Sequence, residues 1–287
     1  MKKDISVVIP VYNDSILLEK CLKSLKDQSD KGFEIIVVDD CSTDNSYEIA
    51  KNYADKAIKN KENKGPAISR NNAIKLAKNQ IIAFTDSDCV VDKDWIKNIR
   101  KNIENENVLM GNTKIKKTSY IADSIASLGF PGGAMAGFRT MWPVDKDGYT
   151  NHISSCNFAM REKVFEKYGY FDESFPFPGG EDPELAIRVH RKGIKIKYCE
   201  DVLIYHEPIR SLSYFVKWQF KRGRTNYHFK KKVGEVGSFV KLRIKSSLTI
   251  LKNNLFNVKV FMIFFLIVLS FILQQTGYFY EVYRLRK

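Results

Sequence analysis

The sequence predicts an α/β fold: a mostly parallel central sheet flanked by helices, followed by a C-terminal helical, membrane-associated tail. Three observations carry this reading. Short, continuously apolar runs alternate with helical stripes over the first 90 residues. Polar groups, mainly carboxylates, collect where those runs end. A long apolar stretch near the C-terminus is preceded by a basic segment.

Ser6 to Val11 is a short apolar strand, and Asn13 or Asp14 can cap a helix with the stripe Leu17, Leu18, Cys21, Leu22 and Leu25. Phe33 to Val38 is a second buried strand, ending in Asp39-Asp40. Ser42 to Asn45 then leads into a helix near Ser46 to Asp55, and Ala57 to Lys59 is a brief strand. Asn63-Lys64-Gly65-Pro66 is turn chemistry, with Pro66 suited to a first helical position. That helix runs to about Lys78, and the strand Ile81 to Thr85 follows. Strand, helix, strand in this order means βαβ units on a parallel sheet. Strands covered on both faces need not alternate apolar and polar residues. Residues 114 to 180 are less regular, with Gly/Pro-rich stretches at 129–137 and 175–180 that suit loops lining a cleft. Glu181 to Lys192 restarts a helix, and Ile194 to Tyr198 and Val202 to Tyr205 read as two short strands.

The chain has 287 residues, 44% hydrophobic and 28% charged, which is globular composition and excludes a disordered chain. Its five cysteines are scattered, with no C-x-x-C, so neither a disulfide framework nor a cysteine zinc site is expected; a reducing setting fits best. The N-terminal apolar run is too short for a signal peptide and contains Asp4. Neither G-x-x-x-x-G-K-[ST] nor G-x-G-x-x-G occurs, so P-loop ATPases and dinucleotide enzymes are unsupported.

The net charge is +14, and residues 217 to 287, with fifteen Lys/Arg and two Asp/Glu, hold all but one unit of it. A basic tail suits nucleic acid, an anionic membrane surface, or a solvated face. The apolar run at 260–273 adjoins these basic residues and extends to Tyr278-Phe279-Tyr280, where aromatics suit a membrane interface. A transmembrane helix, a monotopic in-plane anchor and a buried core helix all remain open for 258–280. The anionic membrane surface is the favoured partner and nucleic acid the disfavoured one. The expected organisation is a globular domain over 1–212, a basic amphipathic region over 213–257, the apolar helix over 258–280 and a basic end over 281–287.

In an open α/β sheet ligands bind beyond the carboxyl ends of the strands. Three such ends carry polar groups: Pro10 to Asp14, Asp39-Asp40, and Asp86-Ser87-Asp88. Carboxylates crowded at one mouth repel unless a cation joins them, and a hard divalent ion shared with a diphosphate meets that need. A single Asp after a strand is usually only a turn residue; three strand ends together point to a ligand site.

The motifs SVVIPVYND, IIVVDDCSTDNS, ENKGPAISRNNAI and FTDSDCV, followed by NFAMR, YGYFDESF and GGEDPELAIRVHRKG, resemble in order and spacing the family 2 glycosyltransferases of the GT-A, Rossmann-like fold. The resemblance covers about residues 4 to 210. It implies an inverting transfer of a sugar from a nucleotide-diphosphate sugar, with a UDP-sugar favoured, to a hydroxyl of a lipid-linked or cell-surface glycan. It implies Mn²⁺ or Mg²⁺ as cofactor; with the C-terminal segment as tether, the expected enzyme is membrane-associated with its catalytic domain facing the cytoplasm. Pro10, Tyr12 and Asn13 would meet the nucleotide, Asp40 the nucleobase edge, and Lys64 and Arg70 the ribose and diphosphate. Asp86 and Ser87 would lie near the ribose, and Asp88 would hold the metal, with His206 as a second ligand. Glu181-Asp182 matches the family's E-D pair, with Asp182 as the base. Asp182-Pro183 equally suits a helix start, with Asp182 as N-cap. Asn157 and Arg161 would meet the acceptor or close a loop. Arg222 matches the Arg of the family's Q-x-x-R-W, but Gly223 stands where that motif has Trp, which argues against processive polymerisation. A polyprenyl-phosphate sugar transferase and a catalytically silent nucleotide-sugar-binding partner are the alternative readings.

Overall fold

The computed structural model describes residues 4–131, 143–234 and 237–286. The chain divides into two compact units: Met1–Lys114, Val144–Ser174 and Glu181–His206 form the first, and Ile115–Pro143, Phe175–Gly180 and Glu207–Lys287 form the second. Much of the Gly/Pro-rich stretch expected at 129–137 lies outside the described residues.

In chain order the elements begin β1 (Ile5–Val11), α1 (Ser15–Lys26), β2 (Phe33–Asp39), α2 (Ser46–Tyr53), β3 (Lys56–Lys59), α3 (Pro66–Leu76) and β4 (Ile81–Thr85). They continue with β5 (Cys89–Val91), α4 (Trp95–Asn102), β6 (Val108–Ile115), α5 (Tyr120–Ser127), β7 (Tyr149–Thr150), β8 (Asn157–Arg161) and α6 (Glu162–Tyr168). The chain ends with α7 (Glu181–Arg191), β9 (Ile196–His206), α8 (Leu212–Val233), α9 (Gly237–Asn253) and α10 (Val260–Arg284).

The first unit is built on one sheet, in the order β3-β2-β1-β4-β8-β6-β9-β5, with β7 paired to β9. β1 is parallel to both β2 and β4, and β2 is parallel to β3. This is the βαβ half that the apolar runs predict. Chain order reverses about β1, so the β1/β4 boundary is a topological switch point, where a crevice opens at the carboxyl ends. The recorded ladder between these strands ends at Val8↔Phe84, while β1 stays paired with β2 to Val11↔Asp39. Pro10 lies on that overhang. With no N–H to donate, it suits a place where the ladder toward β4 has ended.

The other half of the sheet is antiparallel. β8 runs against both β4 and β6, and β9 against β5. β9 is a single strand of eleven residues where the sequence reads as two short ones. Glu200 and Asp201 interrupt its apolar pattern, but they are exposed, and Asp201 is tied to α4 through Asn98 (2.7 Å to its carbonyl) and Asn102 (3.1 Å to Oδ1).

The α1 stripe of Leu18, Cys21, Leu22 and Leu25 and the α4 stripe of Trp95, Ile96 and Ile99 join Val7, Ile9 and Ile35 of the strands in one core. On the sheet, Phe84 stacks on Phe158 across β4 and β8 with centroids 4.3 Å apart, and Phe165 and Phe171 meet it edge-on. Burying each such ring contributes about 1.5–3 kcal/mol. This core is the platform that sets the ends of β1, β2 and β4.

The second unit is helical. Ser119 caps α5 by accepting from Ala122 N–H, and Ser211 caps α8 by accepting from Tyr214 N–H. Ile125, Ile209, Phe215, Ile250, Ile263 and Leu266 form its apolar core.

Candidate active site

The β1–α1 and β2–α2 connections are stitched together by side chains. Asn13 sits at φ 50, in the left-handed region that Asn tolerates. Its side-chain oxygen accepts from Thr43 N–H at 2.7 Å, and its own N–H donates to Ser42 Oγ at 2.9 Å. Cys41 is also left-handed, at φ 67, a costly conformation for a non-glycine residue and one that clusters at ligand sites. Tyr12 is half exposed on this rim.

Asp40 is buried and organises the next turn. Its two oxygens accept from Asn60 Nδ2 (2.8 Å), Lys64 N (3.0 Å) and Gly65 N (2.7 Å). Gly65 adopts φ 88, which a side chain would resist, and Pro66 then opens α3 as its sequence suggests. Lys64 itself projects into solvent, 3.0 Å from Glu62.

One turn into α3, Arg70 is buried between two carboxylates. Its Nη2 lies 2.8 Å from Asp86 Oδ1 and its Nη1 lies 3.0 Å from Glu181 Oε1. Burial alone would lower the Arg70 pKa, but Asp86, Glu181 and Asp182 outweigh it and hold the guanidinium above its ordinary value. Arg70 thus joins α3, the end of β4 and the start of α7. Ser87 donates to Asp14 Oδ2 at 2.8 Å.

Asp88 Oδ1 faces His206 Nε2 at 3.5 Å, because β5 and β9 pair Cys89 opposite His206. Among the described residues, two overlapping donor sets have their ligand atoms within 4.8 Å of one another: Asp86, Cys156 and His206, and Asp88, Cys89 and His206. Asp88 keeps 35% side-chain exposure, yet the protein packed around it raises its pKa. His206 opposes that shift and Asp86 adds to it. Each set offers one carboxylate, one thiol and the shared imidazole of His206, with the second carboxylate in the neighbouring set, an arrangement that a divalent cation fits. Burial pushes the Cys89 thiol up, and the neighbouring Cys89 draws the Cys156 thiol down.

α7 begins at Glu181, so Asp182 lies in its first turn rather than serving as its N-cap. Its Oδ2 accepts from Ser155 N–H at 3.2 Å. The capping expectation is thereby corrected: Asp182 stands inside the first turn of α7, and its carboxylate reaches the segment before β8.

The two acceptor positions expected in the first unit lie at opposite ends of β8, Asn157 across from Thr85 beside Asp86 and Arg161 across from Ile81. Asn157 is fully buried; it accepts from Trp95 Nε1 at 2.9 Å and donates to the carbonyls of Asn112 and Val202. Arg161 pairs with Ile81, at the opposite end of β4 from Thr85, and caps the carbonyls of Ile103, Glu104 and Glu106. These contacts tie the two residues to the sheet and its neighbouring segments. Arg222 belongs to the second unit, stacked over Trp218 (4.9 Å) and Phe130 (5.5 Å). Sequence reasoning missed Ser42, Thr43, Asn60 and Cys156. Ser42 and Thr43 follow the Asp39-Asp40 motif, where loop polar residues could have flagged them, and Asn60 comes after β3; Cys156 lies in the turn just before β8, which no pattern announces.

A parallel half-sheet with an acidic switch point, closed by an antiparallel half, defines a GT-A glycosyltransferase fold. The chain belongs to glycosyl transferase family 2, whose sequence profile matches residues 6–169. It is 30% identical over 207 residues to the UDP-Glc:alpha-D-GlcNAc-diphosphoundecaprenol beta-1,3-glucosyltransferase WfaP of Escherichia coli, covering 70% of this chain and 76% of that protein. It is 27% identical over 236 residues to the glycosyltransferase AglE of Haloferax volcanii, covering 77% and 72%. Among solved structures, the mannosyltransferase PcManGT of Pyrobaculum calidifontis in complex with GDP-Man and Mn²⁺ matches with a TM-score of 0.61 at 16% identity, over 95% of this chain and 74% of that one. S. aureus TarS 1–349 in complex with UDP-GlcNAc matches with a TM-score of 0.57 at 17% identity, over 99% and 92%.

Proposed function

We propose that this chain is an inverting, divalent-metal-dependent glycosyltransferase that moves a sugar from a UDP-sugar to a hydroxyl of a lipid-linked or cell-surface glycan, at the cytoplasmic face of a membrane. The observation that carries it is the buried bridge from Asp86 through Arg70 to Glu181, beside Asp88 and His206 at the switch point. WfaP, whose name gives a UDP-glucose donor and a diphosphoundecaprenol-linked acceptor, supports both the donor class and the lipid-linked acceptor.

In this reading Tyr12 and the Asp40-pinned turn receive the nucleobase and ribose. Asp88 and His206, with Asp86 beside them, would hold the cation. When bound, it supplies Lewis-acid stabilisation to the departing diphosphate. An imidazole in the donor set favours Mn²⁺ over Mg²⁺. Asp182 takes the proton from the acceptor hydroxyl as that oxygen bonds to C1 and the C1–diphosphate bond breaks, which inverts the anomeric centre. Arg70 keeps Glu181 and Asp86 in register at the start of the helix that carries Asp182. A transferase acting on a polyprenyl phosphate needs no such base, so the placement of Asp182 favours a hydroxyl acceptor.

The test is calorimetric titration of UDP, GDP, dTDP and CDP, with and without Mn²⁺, into the detergent-solubilised full chain and its Asp88→Ala variant. Metal-dependent binding of UDP, lost in the variant, is the expected result. Binding of none by the folded protein sinks the reading.

A further inference from the structure

The second unit is built inside out. α10 turns a polar stripe inward: Ser270, Gln274 and Glu281 are buried, in line with Ile263, Leu266 and Gly277 at intervals of three and four residues. Arg243 of α9 donates to Ser270 Oγ (3.1 Å) and Gln274 Oε1 (2.5 Å). Gln274 also bonds Gln219 of α8, and Glu281 accepts from Arg224 (2.6 Å) and meets His228 Nε2 (3.0 Å). The opposite face is apolar and open. Phe261, Phe264, Phe265, Val268, Phe271 and Ile272 are exposed along it, and Phe279 and Tyr283 continue it. The α9–α10 connection adds Phe256, 99% exposed, and Val258, 83% exposed. In water this arrangement leaves the apolar side of a 25-residue helix wet and its polar side dry.

The length of α10 that is tied to α8 decides how it meets a bilayer. From Ile263 to Glu281 is about 27 Å of helix, close to the roughly 30 Å thickness of a hydrocarbon core. Over that span its buried face follows α8, whose Gly223 lies against the Gln274 carbonyl as Gly277 lies against that of Phe220. If α10 crossed the bilayer, α8 would go with it, carrying exposed Lys217 and Lys221 into the hydrocarbon. α10 is pinned at its start too: Lys259 pairs with Asp123 of α5 at 2.7 Å.

We infer that α10 does not span: it lies in the plane of the membrane, its phenylalanine face sunk in an anionic lipid surface and its polar face seated on α8 and α9. The charge identifies the occupant. Residues 217–287 carry a net +13, with Lys217, Lys221 and Lys230 exposed on α8 and Lys241, Lys245 and Lys252 exposed on α9. An apolar ridge with cationic flanks fits acyl chains below anionic headgroups. The inference deepens the membrane association in the proposed function and rests on that part alone, so nucleotide titration reports separately on the catalytic reading.

The experiment uses the full chain carrying different N- and C-terminal tags, expressed in bacteria. In spheroplasts both tags should resist external protease, and in inverted vesicles both should be cut; a C-terminal tag cut in spheroplasts places it across the bilayer and overturns the proposal. Flotation of purified protein should require vesicles containing phosphatidylglycerol and fall at least tenfold, steeply with salt, on pure phosphatidylcholine. Equal flotation on both, or on neither, overturns it. Phe264→Glu with Phe271→Glu should abolish flotation while leaving UDP titration unchanged. If the pair instead breaks a dimer in detergent and flotation persists, the face binds a second copy and the proposal fails.

Discussion

Arg70 Nη1 lies 3.0 Å from Glu181 Oε1, across 111 residues of sequence, with the Arg70 side chain 4% exposed and that of Glu181 2%. The same guanidinium holds Asp86 at 2.8 Å. One buried cation therefore fixes the spacing between the strand-end carboxylates and the helix that carries Asp182.

Removing the cation leaves Glu181 buried without its ion-pair partner. Arg70→Met should cost about 3–5 kcal/mol of stability, read as a lowered denaturation midpoint of the full chain in detergent. Adding Glu181→Gln removes the stranded charge, so the double variant should recover a large part of that loss. Arg70→Lys keeps the charge but cannot fork between two carboxylates, and should fall between wild type and Arg70→Met. Additive losses in the double variant would show that the two residues are not coupled.

His206 supplies the one imidazole among the donors around Asp88 in the described residues. His206→Ala should weaken Mn²⁺ binding in the presence of UDP by about tenfold or more, measured by electron paramagnetic resonance titration. Circular dichroism should stay unchanged, because backbone ladders to β5 and β7 hold β9 in place. Affinity unchanged within about twofold would remove His206 from the ligand set.

The parallel half of the sheet was legible because β1, β2 and β4 are continuous apolar runs that end in polar motifs, and α1 carries a clean stripe. The antiparallel half was not. β6 reads VLMGNTKI, with a glycine at its centre, and β8 opens on a buried Asn whose partners lie on three distant segments. Such strands are specified by what they meet, not by local pattern. Asp40 illustrates the same limit within the site. Its place after a strand was readable, while its grip on Lys64 and Gly65 depends on a turn 24 residues on. Glu200-Asp201 looked like a break in β9 because exposed carboxylates in a strand resemble turn residues.

Glu34 gives a pH dependence. Burial works to raise its pKa, but Ser6 Oγ (2.7 Å), the Lys78 N–H (3.1 Å) and Lys56 Nζ (3.0 Å) together hold it below its ordinary value. A depressed carboxylate pKa adds stability that is full above the unfolded value, about 4.3, and is lost as the pH falls through the folded one. Glu34→Gln should therefore cost about 1–3 kcal/mol at pH 7, and the gap to wild type should narrow progressively below about pH 4.3. Urea denaturation of both proteins at pH 7 and in steps toward pH 3 reads it. A gap that stays constant would mean that the ionised form of Glu34 contributes nothing.

At Gly277, α10 comes so close to α8 that a Cβ would collide with the Phe220 carbonyl and stand 3.2 Å from the Arg224 amide nitrogen. Backbone cannot yield there as a flexible side chain would, so Gly277→Val must push the helices apart. One turn further on, Glu281 is fully buried and relies on Arg224 at 2.6 Å and His228 at 3.0 Å. Separation costs the overpacking itself, about 1–3 kcal/mol, and weakens these pairs around a carboxylate with no access to water. The expected result is faster amide exchange across α8 and α10, with UDP titration retained, because the donor residues belong to the other unit. Gly234→Ala is the control. Among the described residues beyond its chain neighbours, none comes within 4 Å of a Cβ placed there, so its φ of 83 is what resists the change, at about 1 kcal/mol. Equal exchange in the two variants would mean that the α8–α10 crossing does not depend on the absence of a side chain at Gly277.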